Sequence, residues 1–398
     1  MNRSEMALHL LACLYATGLF VPAAVHAQTA DPASPDELLV PVVVPGAICA
    51  VASDTHNLLV IGSDDDKHQL SIFSLAGNAA HAPSKPAQVD LPKPALLENA
   101  KNRPLGMAFH PKLPLLYVWQ DITADAEKIH IGFNHLIIYA IEPTALRQVA
   151  AYARGPEFAH GLSMGAIAID PQGRRIFLPN LQDPSNGGAS IGYFDLDGEG
   201  MPRPTRVPIQ GTLDGRGLNQ FELVTKPVRV NVSRFRGLPT GWGFVAPSLN
   251  TVVFTGAGHG PAVWDTQNRR AAIGLLPIDT LPGDCLIAAD AQLSVLFGAA
   301  QGHDSLYRVA HADGYPTLMP QVVQLPGAVF HSAPTVIVAN HNRLAVGGAG
   351  KVHFAGLNKR GQFTNEFESI SVESDAVRAL AYSRKSKRLY VAVEKDRQ

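Results

Sequence analysis

Four histidines stand at nearly one distance from the phrases that follow them. His68, His259 and His303 each lie five residues before equivalent positions (Phe73, Trp264 and Arg308), and His135 lies four before Tyr139. Neutral imidazole binds metals and titrates near neutrality, so such a set could hold an ion or move protons. Asp64, Asp65 and Asp66 add carboxylate oxygens suited to calcium, without the spacing or glycine of a defined calcium loop. Metal bonds of about 2 Å cannot reach from four separate loops to one ion, so solvated loop groups are the plainer reading of both sets. A second set is Arg103, His160, Asp284, His331 and Asp375, each close to the start of an apolar run. Here Arg103, His160 and His331 could hold an anionic ligand, since a guanidinium suits carboxylate or phosphate. His160, His331, Asp284 and Asp375 are the candidate acids and bases. The chain has no CxxC, CxxCH, HExxH, GxSxG or P-loop, and no cofactor is expected.

These residues hang on a phrase that recurs along the chain: an apolar strand, a polar turn and a second apolar strand. It occurs at 48–63, 107–120, 166–180, 243–256, 285–298, 335–348 and 378–393. Counted from Val60 to Tyr390, the repeats average about 55 residues, which fits four antiparallel strands per unit better than a helical repeat. Third strands are expected at 69–77, 135–143, 190–200, 262–268, 305–314 and 351–361, each alternating and ending in a turn. Shorter fourth strands follow, with RVPI at 206–209 assigned to the third unit. The expected fold is all-β: a seven-bladed β-propeller of four-stranded antiparallel blades over 37–398. In such a scaffold the second set of residues would line the mouth of the central channel, whereas the four histidines would lie in mid-blade loops.

Two places break the pattern. Residues at about 210–240 exceed what one unit needs and read as an insertion at the face or rim. There Phe221, Phe235, Arg229, Arg234 and Arg236 mix aromatic and basic groups, as a protein-contact surface or a packed rim hairpin would. The last unit stops after its second strand. The segment 37–45 is expected to complete it, which would remove an exposed sheet edge.

Residues 1–27 read as a secretory signal peptide, with Arg3, an apolar run from Ala7 to Val25, and Val25-His26-Ala27 before the cut. A lipobox at Leu10-Leu11-Ala12-Cys13 is a weaker reading, because the run before Cys13 is short and contains His9. An uncleaved anchor is a third. Residues 28–36 would be a linker, the mature chain would lack a transmembrane domain, and the protein would be periplasmic or secreted. Cys49 and Cys285 occupy equivalent positions in distant units, too far apart for a disulfide, and read as small buried residues. With a net charge of −1 and 17% charged residues, there is no basic excess to neutralise phosphates, so nucleic acid is not expected as a partner.

FHPKLPLLYVW (109–119), IDPQGRRIFLPN (169–180), YFDLDGEG (193–200) and RLYVAVE (388–394) resemble the YVTN/lactonase-like seven-bladed propellers. The family's own tetrapeptide is degenerate here, and Val263-Trp264-Asp265 matches a WD repeat only once. The resemblance implies a fold over most of 38–398, and its members include lactone-cleaving enzymes, surface-layer proteins and many proteins of no assigned activity. The expectation is a monomeric binding or scaffolding protein whose loop-rich face takes a protein or a small anionic ligand. The alternative is a hydrolase or lyase acting on a sugar lactone at the channel mouth.

Overall fold

The computed structural model describes residues 39–63, 69–75, 86–91, 101–126, 129–142, 145–153, 167–178, 190–203, 206–208, 220–223, 228–231, 239–256, 259–267, 273–274, 285–290, 295–300, 304–312, 315–316, 321–325, 335–340, 342–348, 350–372 and 377–393. The chain divides into two compact units, Met1–Ser34 and Pro35–Gln398, and every described residue belongs to the second. Among the described residues there is no helix, and the strands form seven sheets. No helix among them is long and apolar enough to cross a membrane.

Each of the seven recurring phrases is an antiparallel hairpin that forms the first two strands of one sheet. The first sheet is typical: Ala47–Ser53, Leu58–Ser63, Gln69–Ser74 and Ala87–Asp90 follow one another in order. Second strands are packed on both faces, which is why they read as unbroken apolar runs. All six residues of Leu58–Ser63 are buried, whereas the outermost Ala87–Asp90 is mostly exposed.

The core lies between sheets. Leu58, Val60 and Leu70 of the first pack on Leu116, Val118 and Ile137 of the second. The other face of the second sheet, with Tyr117, Trp119 and Ile138, packs on Ile176 and Phe194 of the third. Tyr193 of the third sheet lies 5.7 Å from Trp264 of the fourth. Pro239–Val245 runs beside Cys285–Asp290, and similar contacts join the fifth sheet to the sixth and the sixth to the seventh. Ala47–Ser53 also lies beside Val377–Ser383, so the first and seventh sheets are neighbours. Burying one large side chain such as Phe177 or Trp264 contributes about 1.5–3 kcal/mol, so these interfaces carry most of the fold's stability.

Three features differ from the sequence expectation. The N-terminal strand, Leu39–Val43, joins the seventh sheet as expected, but it does so in parallel with Arg388–Val393, in the place a third strand would take. The N–H of Val44 points toward this ladder, donating to Val393 O at 3.4 Å. By two-residue alternation Pro41 faces the free edge, where its missing donor breaks no pairing and discourages further strands. In the third sheet the fourth strand is Val228–Asn231, not residues 206–209. Arg206–Pro208 and Gln220–Leu223 cross to the second sheet, where Gln220–Leu223 runs parallel to Leu146–Ala153 and widens that sheet to six strands. The excess chain therefore covers a neighbour's exposed edge. Finally, the second and third strands of the second sheet, Leu115–Ala126 and Ile129–Ile141, continue in register to Ala126↔Ile129 and form a long ribbon where loop was expected.

Candidate functional site

The two ends of the sheets differ in chemistry. At the end carrying the hairpin turns, polar side chains fold the turns and tie neighbouring sheets. Asp170, fully buried, accepts from the backbone N–H of Gln172 (3.0 Å), Arg174 (2.6 Å) and Arg175 (2.6 Å). This closes the turn of the third sheet around Gly173, whose φ of +73° and contact with the His110 ring leave no room for a Cβ. His110, in the equivalent turn of the second sheet, accepts at Nδ1 from Lys112 N (3.1 Å) and Leu113 N (2.9 Å). With Nδ1 unprotonated, Nε2 carries the proton and donates to Gly173 O at 3.0 Å. Burial lowers the His110 pKa below its ordinary value, and the Gly173 carbonyl and Asp170 only partly offset this. Tyr117 Oη donates to Gly200 O at 2.6 Å. Burial, with a smaller contribution from Asp197, raises its pKa.

Arg175 links the third sheet to the fourth. Nε donates to Asp195 Oδ1 (2.8 Å), Nη1 donates to Leu249 O (3.1 Å) and Thr266 Oγ1 (2.8 Å), and the guanidinium stacks 3.8 Å from the Tyr193 ring centre. Arg308 does the same between the fifth and sixth sheets, with Nε on Gly361 O (2.5 Å) and Nη2 on Arg360 O (2.9 Å). The sequence equated this position with Phe73 and Trp264; the structure uses it for a buried cation that caps carbonyls. Asp54 joins the first and seventh sheets by accepting from Ser383 Oγ and from Arg384 N (2.8 Å), and Lys385 Nζ donates to Asn57 Oδ1 (2.7 Å). These are structural bonds, and they involve the motifs that carried the family resemblance.

The opposite end, where first strands begin, is built differently. Three neighbouring first strands carry a bulge near their start. In the first sheet the pairing steps from Ala47↔Ser63 to Cys49↔Gly62, leaving Ile48 as the extra residue. In the second it steps from Pro104↔Gln120 to Gly106↔Trp119, leaving Leu105. In the seventh it steps from Val377↔Val393 to Ala379↔Ala392, leaving Arg378. Bulges on edge strands re-aim a side chain and cluster near binding sites. Ile48 and Leu105 are partly exposed, and Arg378 is exposed between Val377 and Ala379, each only 3% exposed. The approach of the first two strands is close. A Cβ on Gly62 would come within 2.7 Å of Pro104 Cγ and 2.9 Å of Cys49 Sγ. Cys49 is free, its thiol lies 3.4 Å from Pro104 O, and burial pushes its pKa up to about 12.

Of the residues singled out by sequence, Arg103 lies within Lys101–Phe109, paired with Asp121, and not in a loop. His259 opens the strand His259–Asp265 opposite Gly256, and His135 lies inside Ile129–Ile141 opposite Gln120. These two histidines are therefore on strands. His68, His160, His303, His331, Asp64, Asp65, Asp66, Asp284 and Asp375 lie outside the described residues. So do Arg234, Phe235 and Arg236, whereas Phe221 and Arg229 are on paired strands opposite Tyr152 and Gly192. Among the described residues no cluster of His, Cys, Asp or Glu could hold a metal. Sequence reasoning passed over Arg378, although a lone cation inside the apolar strand Val377–Ser383 was visible.

No family model and no curated protein matches the chain. Solved structures do. One is a functionally unknown protein from Desulfotomaculum acetoxidans DSM 771, at TM-score 0.52 and 10% identity, covering 88% of this chain and 90% of that one. Another is the periplasmic gluconolactonase PpgL of Pseudomonas aeruginosa, at TM-score 0.52 and 16% identity, covering 84% and 88% respectively. A third, at TM-score 0.49 and 8% identity, is the β-propeller domain of Myceliophteria thermophila Cps50 (Swd1), covering 89% and 99%. Several four-stranded antiparallel sheets set side by side through their first strands, together with the first two likenesses, support a β-propeller fold for this chain.

Proposed function

We propose that this chain is an exported, closed seven-bladed propeller of the YVTN/lactonase-like kind that binds a ligand at the end where its first strands begin. The observation that carries the reading is the division between the ends. Bonds between turns join neighbouring sheets at one end, whereas at the other the first strands of three adjoining sheets are bulged, with Ile48 and Leu105 partly exposed and Arg378 exposed. Closure through the first and seventh sheets is supported by the Asp54–Ser383 bond and by the pairing of Leu39–Val43 with Arg388–Val393. Arg103 lies on the first strand of the second sheet, and we propose that His160, His331, Asp284 and Asp375, which precede first strands in sequence, belong to the same end. The likeness to a gluconolactonase favours one second reading, ring opening of a sugar lactone there, with the histidines or aspartates moving the proton.

A thermal-shift screen of sugar lactones, acidic sugars and divalent metals, paired with a pH-stat assay of lactone opening, tests both. Binding predicts a shift that is lost in His160→Ala or His331→Ala, with no acid released above the spontaneous rate. Enzymatic acid release would replace binder with hydrolase. No shift with any of them would remove the small-ligand reading and leave a protein partner.

A further inference from the structure

We infer that the hairpin turn of the seventh sheet, residues 384–388, docks this protein on an anionic membrane surface by charge alone. The turn lies at the end opposite the proposed binding end, and its docking does not depend on that reading. It connects Val377–Ser383 to Arg388–Val393 and places four cations in five residues: Arg384, Lys385, Lys387 and Arg388. The first three are exposed and Arg388 is half-buried. Other described hairpin turns are built differently. Residues 54–57 of the first sheet and 246–250 of the fourth contain no Lys or Arg. The turn at 110–114 has Lys112 only, and that at 170–174 sets Arg174 beside Asp170. Since the whole chain has a net charge of −1, the basic character is local to this turn.

The bonds that fold the turn do not use these charges. Asp54 accepts from Ser383 Oγ and from Arg384 N (2.8 Å), and Ser383 Oγ accepts from Ser386 N (3.2 Å). Lys387 holds a φ of 54°, and Lys385 Nζ donates to the neutral Asn57 Oδ1 at 2.7 Å. Among the described residues, none of the four cationic side chains forms an ion pair. The backbone is fixed, and the cations are displayed on it. Charges this close in one turn lie within a Debye length of about 8–10 Å, so an extended anionic surface attracts them together. Hydrated cations on an exposed turn hold a single small anion weakly. A leaflet of acidic phospholipid instead supplies many phosphates at once, and each Lys or Arg near it strengthens binding by about fivefold. Docked by this turn, the molecule keeps the starts of its first strands away from the leaflet.

The test is flotation of the mature protein with vesicles of phosphatidylglycerol and phosphatidylcholine in equal parts, and with vesicles of phosphatidylcholine alone. Wild type is expected to bind the anionic vesicles at about 50 mM salt, to leave them at about 500 mM, and to ignore the neutral ones. Arg384→Gln/Lys387→Gln is expected to weaken binding by about twentyfold, from two cations at about fivefold each. Arg384→Lys is expected to keep it. Arg147→Gln/Lys351→Gln removes the same charge from exposed residues of two other sheets and is expected to behave as wild type. Melting curves check that each variant folds. If wild type fails to bind anionic vesicles, or binds both kinds equally, the inference is overturned. It is also overturned if the double variant at the turn binds as wild type does. Binding to poly-L-glutamate without binding to vesicles would overturn it in favour of an acidic protein segment. None of these outcomes bears on the small-ligand reading of the opposite end, which the thermal-shift screen tests separately.

Discussion

At the scale of single residues, the clearest chemistry is that of buried polar groups held by backbone. His110 is neutral, and burial lowers its pKa; burial, with Lys351 nearby, does the same to His353, whose Nδ1 lies 2.7 Å from Ser369 Oγ. An unfolded histidine takes a proton near its ordinary value of about 6.5, whereas these two resist it until lower pH. The unfolded chain then binds more protons than the native one, so stability is full above about pH 6.5 and falls as pH drops. The melting temperature should decline from about pH 7 to 5, and His353→Asn should flatten that slope. Asp170→Ala leaves three backbone donors without their acceptor, and should cost roughly 2–4 kcal/mol in urea unfolding. The buried Cys49 thiol, with its raised pKa, should resist iodoacetamide in the native state and react fully in denaturant. Rapid native alkylation would contradict this placement.

At the scale of elements, the hairpins were legible because second strands are packed on both faces and therefore read as apolar runs. The turns were legible as turns, but not in their use. Asp170 and His110 stood out as part of a family phrase, and only the structure assigns them to closing turns and joining sheets. The crossing of Gln220–Leu223 to the second sheet could not be read, because strand pairing between distant segments leaves no local pattern. The ribbon of the second sheet was readable in principle. The pairing runs from Asp121↔Asn134 to Ala126↔Ile129, a stretch in which Ile122, Ala124, Ile131 and Phe133 recur at every second position of the sequence. Of the five channel-mouth candidates named from sequence position, Arg103 alone lies among the described residues, and Ile48, Leu105 and Arg378 emerged only from the bulges, which are a property of pairing. Asn57 (φ 50°) and Lys387 (φ 54°) hold the left-handed conformation in the turns of the first and seventh sheets. Lys387→Gly removes a Cβ penalty of about 1 kcal/mol and should raise stability by up to that amount. A loss of stability would mean that the Lys387 side chain contributes more than its backbone costs.

At the scale of the whole molecule, the central claim is a division of labour. One end is tied by turn-to-turn bonds, and the other offers accessible residues on first strands. Hydrogen–deuterium exchange of the mature protein, with and without saturating D-glucuronate, tests this most directly. The account predicts new protection at the starts of first strands, 47–49, 101–106 and 377–379, with the turns at 54–57, 110–114, 170–174 and 384–387 unchanged. Protection at those turns, with the strand starts unchanged, would contradict it and place the ligand on the opposite end.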